Sequence, residues 1–357
     1  METIAPSDNE PFTGSSPVYD DYDSTDVPPI FLCEKEEFMR FGSVFVPASY
    51  SLVFILSMTG NTLILIVLAK CEKLASVTNI FILNLVLSDL LFSVSLPFWA
   101  VYHSSQWIFG NIMCKIISWL FFLGFYSSVM FLTLMTVDRY LAIVHSLSTT
   151  SARRVRYATV ASLAVWFISL VVSAPELIFS GERRNSNGEA LCEEITFVGE
   201  SYHTWKKVAF FQHSVMFYLV PLVIVIFCYS RILITITKST LHKKCRVVKL
   251  VFFIVLLFFL CWTPYYLIIF VLFWQNVFSY STCDTTVDYA YYICRSVAYF
   301  HCCVNPLFYT FLGTKYRKHF SYLIKLYCLP TKALKQQAVS IRLSALSNQF
   351  PNTLSSD

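Results

Sequence analysis

The residues from Ile116 to Val137 carry no charge, and directly after them stand Asp138, Arg139 and Tyr140. A run of this length is enough for a helix to cross the hydrocarbon core of a bilayer. An acid and an arginine at its boundary are costly to desolvate, so each needs water or a partner. The simplest reading is an arginine that snorkels to the interface. Asp89 is a second ionisable group, set in the middle of the apolar run 79–101. A carboxylate at that depth points to function by default. The chemistry on offer is ion pairing and switching rather than catalysis. No paired carboxylates and no His-Glu-x-x-His string occur in the apolar runs, so the chain is not expected to be an enzyme. No CxxC pair or His-x-x-x-His helix indicates a zinc-type site, and no cofactor is expected.

The elements that must position these groups are membrane spans. The chain has 357 residues, 56% hydrophobic and 14% charged, where a soluble protein carries roughly 25% charged residues. Apolar runs of spanning length cover Val44–Ala69 and about 79–101, 112–144, 157–178, 208–236, 247–273 and 287–311. The fold class read from this is an all-α membrane protein, a seven-transmembrane helix bundle. An odd number of spans puts the termini on opposite sides. With the N-terminus outside, 19 of the 27 basic residues face the cytoplasm, giving that side about +15 and the outer side about −10. The reverse orientation violates the positive-inside rule throughout. The same reading divides the chain into an acidic extracellular tail (1–42), the membrane domain (43–312), an amphipathic membrane-surface helix (313–328) and a disordered cytoplasmic tail (329–357). Tyr316, Phe320, Leu323, Ile324 and Tyr327 recur at helical spacing among lysines and arginines, as on a helix lying against anionic lipids. Residues 1–42 have neither the basic nor the apolar region of a cleavable signal peptide.

An acidic outer face attracts basic soluble ligands and speeds their encounter. Tyr19 and Tyr22 sit among Asp20, Asp21 and Asp23, a setting suited to tyrosine sulfation. The outer side carries no Asn-x-Ser/Thr sequon, so no N-glycan is expected there. Four cysteines, Cys33, Cys114, Cys192 and Cys283, fall on the oxidising side and permit three pairings. The spacing does not choose between them.

Several strings resemble one family. Asp138-Arg139-Tyr140-Leu141-Ala142-Ile143-Val144, Cys261-Trp262-Thr263-Pro264 and Asn305-Pro306-Leu307-Phe308-Tyr309 resemble signatures of rhodopsin-class G-protein-coupled receptors, with Tyr229 eight residues after Pro221. Ser95-Leu96-Pro97-Phe98-Trp99, Trp107-Ile108-Phe109-Gly110 and His301-Cys302-Cys303-Val304-Asn305-Pro306 are similar to the chemokine receptors. The resemblance covers about residues 33–328. It implies disulfides Cys114–Cys192 and Cys33–Cys283. It implies a polar cluster in which Asp89 meets Asn61, Ser128 and Asn305, with oxygens suited to a sodium ion at Asp89, Ser128 and Asn305. It implies a switch built on Asn61, Asp89, Tyr229, Trp262, Pro264, Asn305, Pro306 and Tyr309, and G-protein coupling through Asp138, Arg139 and Tyr140. The partners it implies are a chemokine, an inhibitory-type heterotrimeric G protein, receptor kinases and arrestin, with membrane lipids around the bundle and no nucleic acid. The expected ligand contacts are Tyr19 and Tyr22 in the tail and Tyr50, Trp99, Tyr265, Tyr291 and Arg295 in the helical pocket. The expected location is the plasma membrane.

Within the family, Thr78-Asn79-Ile80-Phe81-Ile82-Leu83-Asn84-Leu85 and Ile293-Cys294-Arg295 are most similar to the lymphotactin (XC) type. Many CC and CXC receptors carry a glutamate where Arg295 stands, so the arginine reverses the sign of that contact. Asp138 departs the other way, because some XC receptors have a histidine there. The expected ligand is therefore of XC type, with a CC-type receptor or a non-signalling scavenger as the alternative. The rival classes are weaker. A transporter lacks support from repeats or from further buried acids, and an opsin needs a lysine that 287–311 does not contain.

Overall fold

A computed structural model describes residues 36–71, 76–145, 151–185, 188–194, 208, 210–237, 245–278 and 285–312. Tyr19, Tyr22, Cys33, Cys283, the stretch 313–328 and the tail 329–357 lie outside the described residues, as does the side chain of Tyr309.

The described chain is helical apart from one hairpin. The helices are α1 (Glu36–Cys71), α2 (Val77–Ser104), α3 (Gly110–Val144), α4 (Ser151–Ser173) and the short α5 (Pro175–Phe179). After the hairpin come a π-helical stretch (Gln212–Leu219) running into α6 (Val220–Thr237), then α7 (Cys245–Phe278), α8 (Thr286–Tyr299) and α9 (His301–Leu312). Helices satisfy every backbone group internally, which is why apolar runs of this length fold this way in lipid. Among the described residues, six helices are long and apolar enough to cross a membrane. The seventh expected span is present as α8 and α9, divided at Phe300. The N–H of Phe300 reaches back to the carbonyls of Ser296 and Val297, a tightened turn rather than a chain reversal.

Proline explains the π-helical stretch. Pro221 has no N–H to give the turn before it. The chain there widens into the π-helix, with the Val220 N–H bonding Val215 five residues back. Pro97, Pro264 and Pro306 also stand inside helices.

α3 is the central helix: most of its apolar span is buried, whereas the span begun by α4 is mostly exposed. Small residues bring its neighbours close. A Cβ on Gly124 would lie 2.5 Å from the Phe92 backbone nitrogen of α2, and one on Gly60 would lie 2.9 Å from the Pro306 ring. Large apolar side chains such as Leu52, Ile55, Leu163, Phe167, Val223 and Leu233 are exposed. On a soluble protein they would be an aggregation hazard; here they form the lipid-facing side.

The hairpin pairs β1 (Ser180–Arg184) antiparallel with β2 (Ala190–Glu194), Ser180 opposite Glu194 and Arg184 opposite Ala190. Gly188, at φ 83°, supplies the left-handed residue its turn needs. The disulfide Cys114–Cys192, with Cα atoms 5.6 Å apart, ties β2 to the start of α3. Trp107 donates its N–H to Ala190 O (2.8 Å), and Asn111 Oδ1 accepts from the Glu182 N–H (3.0 Å). The hairpin is thereby fixed to the first turns of α3.

Candidate functional site

Below the hairpin the helices leave a pocket of about 360 Å³. Tyr50, Trp99, Tyr265, Tyr291 and Arg295, the five expected pocket residues, all line it. So does Glu193, a loop acid that the sequence offers as able to reach in towards Arg295, and so do His103, Phe121, Glu176 and Tyr299, which sequence reasoning did not name as pocket residues. Arg295 on α8 is enclosed by aromatic rings. Its guanidinium carbon lies 5.6 Å from the Tyr50 ring centroid, 5.0 Å from Tyr291 and 5.4 Å from Tyr292. These are cation–π distances. Nη1 donates to the Tyr291 hydroxyl (3.3 Å) and Nη2 lies 2.9 Å from His103 Nε2. A guanidinium has only donors, so His103 accepts there and must be neutral. Arg295 Nε is buried and makes no hydrogen bond. The arginine therefore does not snorkel away. It is held in the pocket by rings and neutral acceptors.

The floor of the pocket is aromatic. Tyr299 packs against Tyr50 (5.1 Å between centroids), Phe121 (5.4 Å) and Trp262 (6.1 Å). Trp262 also meets Phe125 at 4.4 Å, and its indole nitrogen stands 3.3 Å from His301 Nδ1.

Beneath Trp262 lies the buried polar core. Asn305 Nδ2 donates to Asp89 Oδ2 (2.7 Å) and Ser128 Oγ to Asp89 Oδ1 (3.1 Å). These are two of the three expected partners. Asn61 behaves differently: no direct hydrogen bond joins it to Asp89. Its Nδ2 donates to Cys302 O (3.0 Å), Ser57 O (3.1 Å) and Ser57 Oγ (3.0 Å). The reason is Pro306, which cannot supply the N–H that the Cys302 carbonyl needs four residues back. A side chain from α1 supplies it instead. Ser93 completes the core: its hydroxyl donates to Asp89 O and shares a hydrogen bond with Ser57 Oγ, both at 2.6 Å. Ser57 and Ser93 were not anticipated, although Ser93 follows Asp89 at helical spacing. The Asp89 carboxylate, the Ser128 and Ser93 hydroxyls and the unpartnered, buried Asn61 Oδ1 are hard oxygen donors of the kind a sodium ion takes. Asn305 presents its nitrogen to Asp89, so it fits such an ion only after its amide turns.

At the far end of α3, Asp138 and Arg139 form a salt bridge. Arg139 Nη2 also donates to Thr78 Oγ1 of α2 (3.0 Å), a partner that lay unread inside the Thr78–Leu85 string. Tyr140 packs its ring 5.8 Å from Phe227 of α6, and Tyr229 is buried edge-on against Phe252 of α7 (4.9 Å). At this end α3, α6 and α7 thus meet through these residues.

Residues 60–309 match the family model for seven-transmembrane receptors of the rhodopsin family. The chain belongs to that family, and so is a G-protein-coupled receptor that crosses the membrane several times. The human C-C chemokine receptor type 4 is 40% identical to it over 295 residues, 82% of this chain and 81% of that one, which sets the chain among the chemokine receptors.

Proposed function

We propose that the chain is a plasma-membrane receptor for a small basic chemokine, with its N-terminus outside and its C-terminus in the cytoplasm. On binding it activates an inhibitory-type heterotrimeric G protein, leading to calcium release and chemotaxis. The observation that carries this is 40% identity to a C-C chemokine receptor over about four fifths of both chains. The acidic tail, with Tyr19 and Tyr22, captures the ligand's basic core, and the ligand's N-terminus enters the pocket of Tyr50, Trp99, Tyr265, Tyr291 and Arg295. A second disulfide, Cys33–Cys283, holds the tail at the pocket mouth. Asp89, Asn305 and Ser128 hold a sodium ion at rest. Trp262, Pro264, Tyr229, Pro306 and Tyr309 carry the change to Asp138, Arg139 and Tyr140. Receptor kinases and arrestin act on the tail after residue 329.

Between ligand types, the relative favours a CC-type chemokine over the XC type. The XC reading rests on the Thr78–Leu85 and Ile293–Arg295 strings. Arg295 constrains both. A cation there repels a ligand amine and requires a carbonyl or acid beside it. A non-signalling scavenger is the weaker alternative, because the Asp138–Arg139 pair that signalling would release is intact. The test is a panel of CC and XC chemokines scored for calcium release and arrestin recruitment in cells expressing the chain. Activation by a CC chemokine supports the reading. Activation by lymphotactin alone restores the XC type, binding without either signal indicates a scavenger, and no binding refutes the proposal.

A further inference from the structure

Arg295 stands in the pocket as a cation without a counter-charge. It spends one N–H on the Tyr291 hydroxyl (3.3 Å) and one on His103 Nε2 (2.9 Å), and both acceptors are neutral. Its Nε is buried and has no acceptor. The indole N–H of Trp99, another residue of the lining, is also buried and without an acceptor. Among the described residues no carboxylate pairs with Arg295. The two acids of the lining do not serve: Glu176 accepts from Ser180 Oγ at 3.0 Å, and Glu193 is exposed. The rings of Tyr50, Tyr291 and Tyr292 lie 5.0–5.6 Å from the guanidinium carbon. Such contacts offset only part of the cost of taking a charge out of water, and they leave N–H donors unused. Beside this cation is the cavity of about 360 Å³, largely aromatic in its lining.

We propose that the pocket holds a small monovalent anion, a halide or the carboxylate of a small molecule, as the counter-charge of Arg295 when no protein ligand is bound. An aromatic cavity penalises ions that hold their water tightly, while guanidinium and indole N–H groups supply donors with no competing acceptor. A divalent anion fits less well, because a single cation leaves part of its charge unbalanced. The site is defined by the receptor's own residues and is independent of the chemokine reading. Any ligand segment that enters must displace the anion or bring a negative group of its own.

The test uses the full-length receptor purified in detergent, with no chemokine present. Its thermal midpoint is followed as sodium gluconate, whose hydroxyl-rich chain suits an aromatic cavity poorly, is replaced at constant ionic strength by sodium chloride or by sodium benzoate. A saturable rise of about 2–4 °C is expected with at least one of the two anions. A rise with chloride alone identifies an inorganic-ion site. A rise with benzoate at lower concentration than chloride identifies a small-molecule carboxylate as the better occupant. Arg295→Gln, run in the same solutions, loses the saturable rise, which separates the site from general salt effects. His103→Glu puts a carboxylate where Arg295 Nη2 already finds its acceptor at 2.9 Å. That variant supplies the counter-charge from within, so it keeps Arg295 in place and loses the anion dependence. A midpoint indifferent to both anions overturns the proposal, as does a rise that persists unchanged on Arg295→Gln or on His103→Glu.

Discussion

Asn61 is the side chain whose removal has the most definite consequence. The carbonyl of Cys302 is deprived of a backbone donor by Pro306, and Asn61 Nδ2 replaces that donor at 3.0 Å. Asn61→Leu preserves volume and removes the donor. The Ser57 hydroxyl keeps its hydrogen bond with Ser93 at 2.6 Å, and Asn61 Oδ1 had no partner to lose. The cost is therefore dominated by one buried, unsatisfied carbonyl, about 1–3 kcal/mol. For a large domain each kcal/mol moves the thermal midpoint by about 2–4 °C, so a fall of about 2–12 °C is expected. The free cysteines Cys228, Cys261 and Cys303 are buried. A thiol-reactive fluorophore on purified receptor in detergent therefore reports unfolding. The decisive comparison repeats Asn61→Leu on a Pro306→Ala background, where residue 306 regains its N–H. The penalty there should shrink by about 1 kcal/mol or more. An equal fall in both backgrounds refutes the proposed role of Asn61.

A methyl at Gly124→Ala would stand 2.5 Å from backbone of α2, which cannot rotate aside, whereas one at Gly60→Ala meets the Pro306 ring at 2.9 Å. Gly124→Ala should lower surface expression and the thermal midpoint more than Gly60→Ala; the reverse order would show that α2 yields more easily than the proline ring. Arg139→Ala removes both the Asp138 and Thr78 contacts. It should abolish G-protein activation while surface expression and ligand binding persist, and full calcium signalling by that variant counts against the role. Neutralising Asp20, Asp21 and Asp23 should slow chemokine association and flatten its salt dependence, and unchanged association at low and high salt removes steering from the account. Arg295→Glu should reduce activation by the parent's own ligand far more than it reduces surface expression, and unchanged potency leaves Arg295 without a part in selectivity.

How far the sequence could be read depended on whether a group's partner was written near it. Span positions follow from uninterrupted apolar runs, and all seven appear, though the α8–α9 break at Phe300 left no local signal. The break falls six residues before Pro306 and depends on how the Ser296 and Val297 carbonyls are capped. Asp89 was legible because a lone carboxylate in an apolar run demands partners. The identity of those partners is a tertiary fact. Asn61 and Asp89 sit on adjacent helices, yet the proline-freed carbonyl of Cys302 competes for the amide and wins. His103 was visible at the end of α2, but its part as acceptor for Arg295 arises only when α2 and α8 meet 192 residues apart. Glu176 looked like one acid among many outer ones until α5 turned it into the pocket.

A line of packed residues joins the pocket to the polar core, and it contains a histidine with two possible hydrogen-bonding patterns. Arg295 lies over Tyr50, Tyr50 packs on Tyr299, and Tyr299 on Trp262. Contact alone transmits nothing; an element with two arrangements is needed. His301 is one. Its Nδ1 lies 2.7 Å from Ala298 O and 3.3 Å from Trp262 Nε1. A carbonyl only accepts and an indole N–H only donates, while a neutral imidazole nitrogen does one or the other. With the proton on Nδ1, the bond goes to Ala298 and Trp262 loses its acceptor. With the proton on Nε2, which is buried and unpartnered, Trp262 is held and Ala298 is released. The two contacts cannot both be hydrogen bonds at once, so the proton position on His301 decides whether Trp262 has an acceptor there. The next residue is Cys302, whose carbonyl Asn61 holds and whose Sγ stands 3.7 Å from Ser93 Oγ, the hydroxyl that also bonds Asp89 O. Three residues further, Asn305 grips the Asp89 carboxylate. A ligand that displaces Tyr299 would therefore act on Trp262 at one end of a turn whose other end is fixed by Asp89.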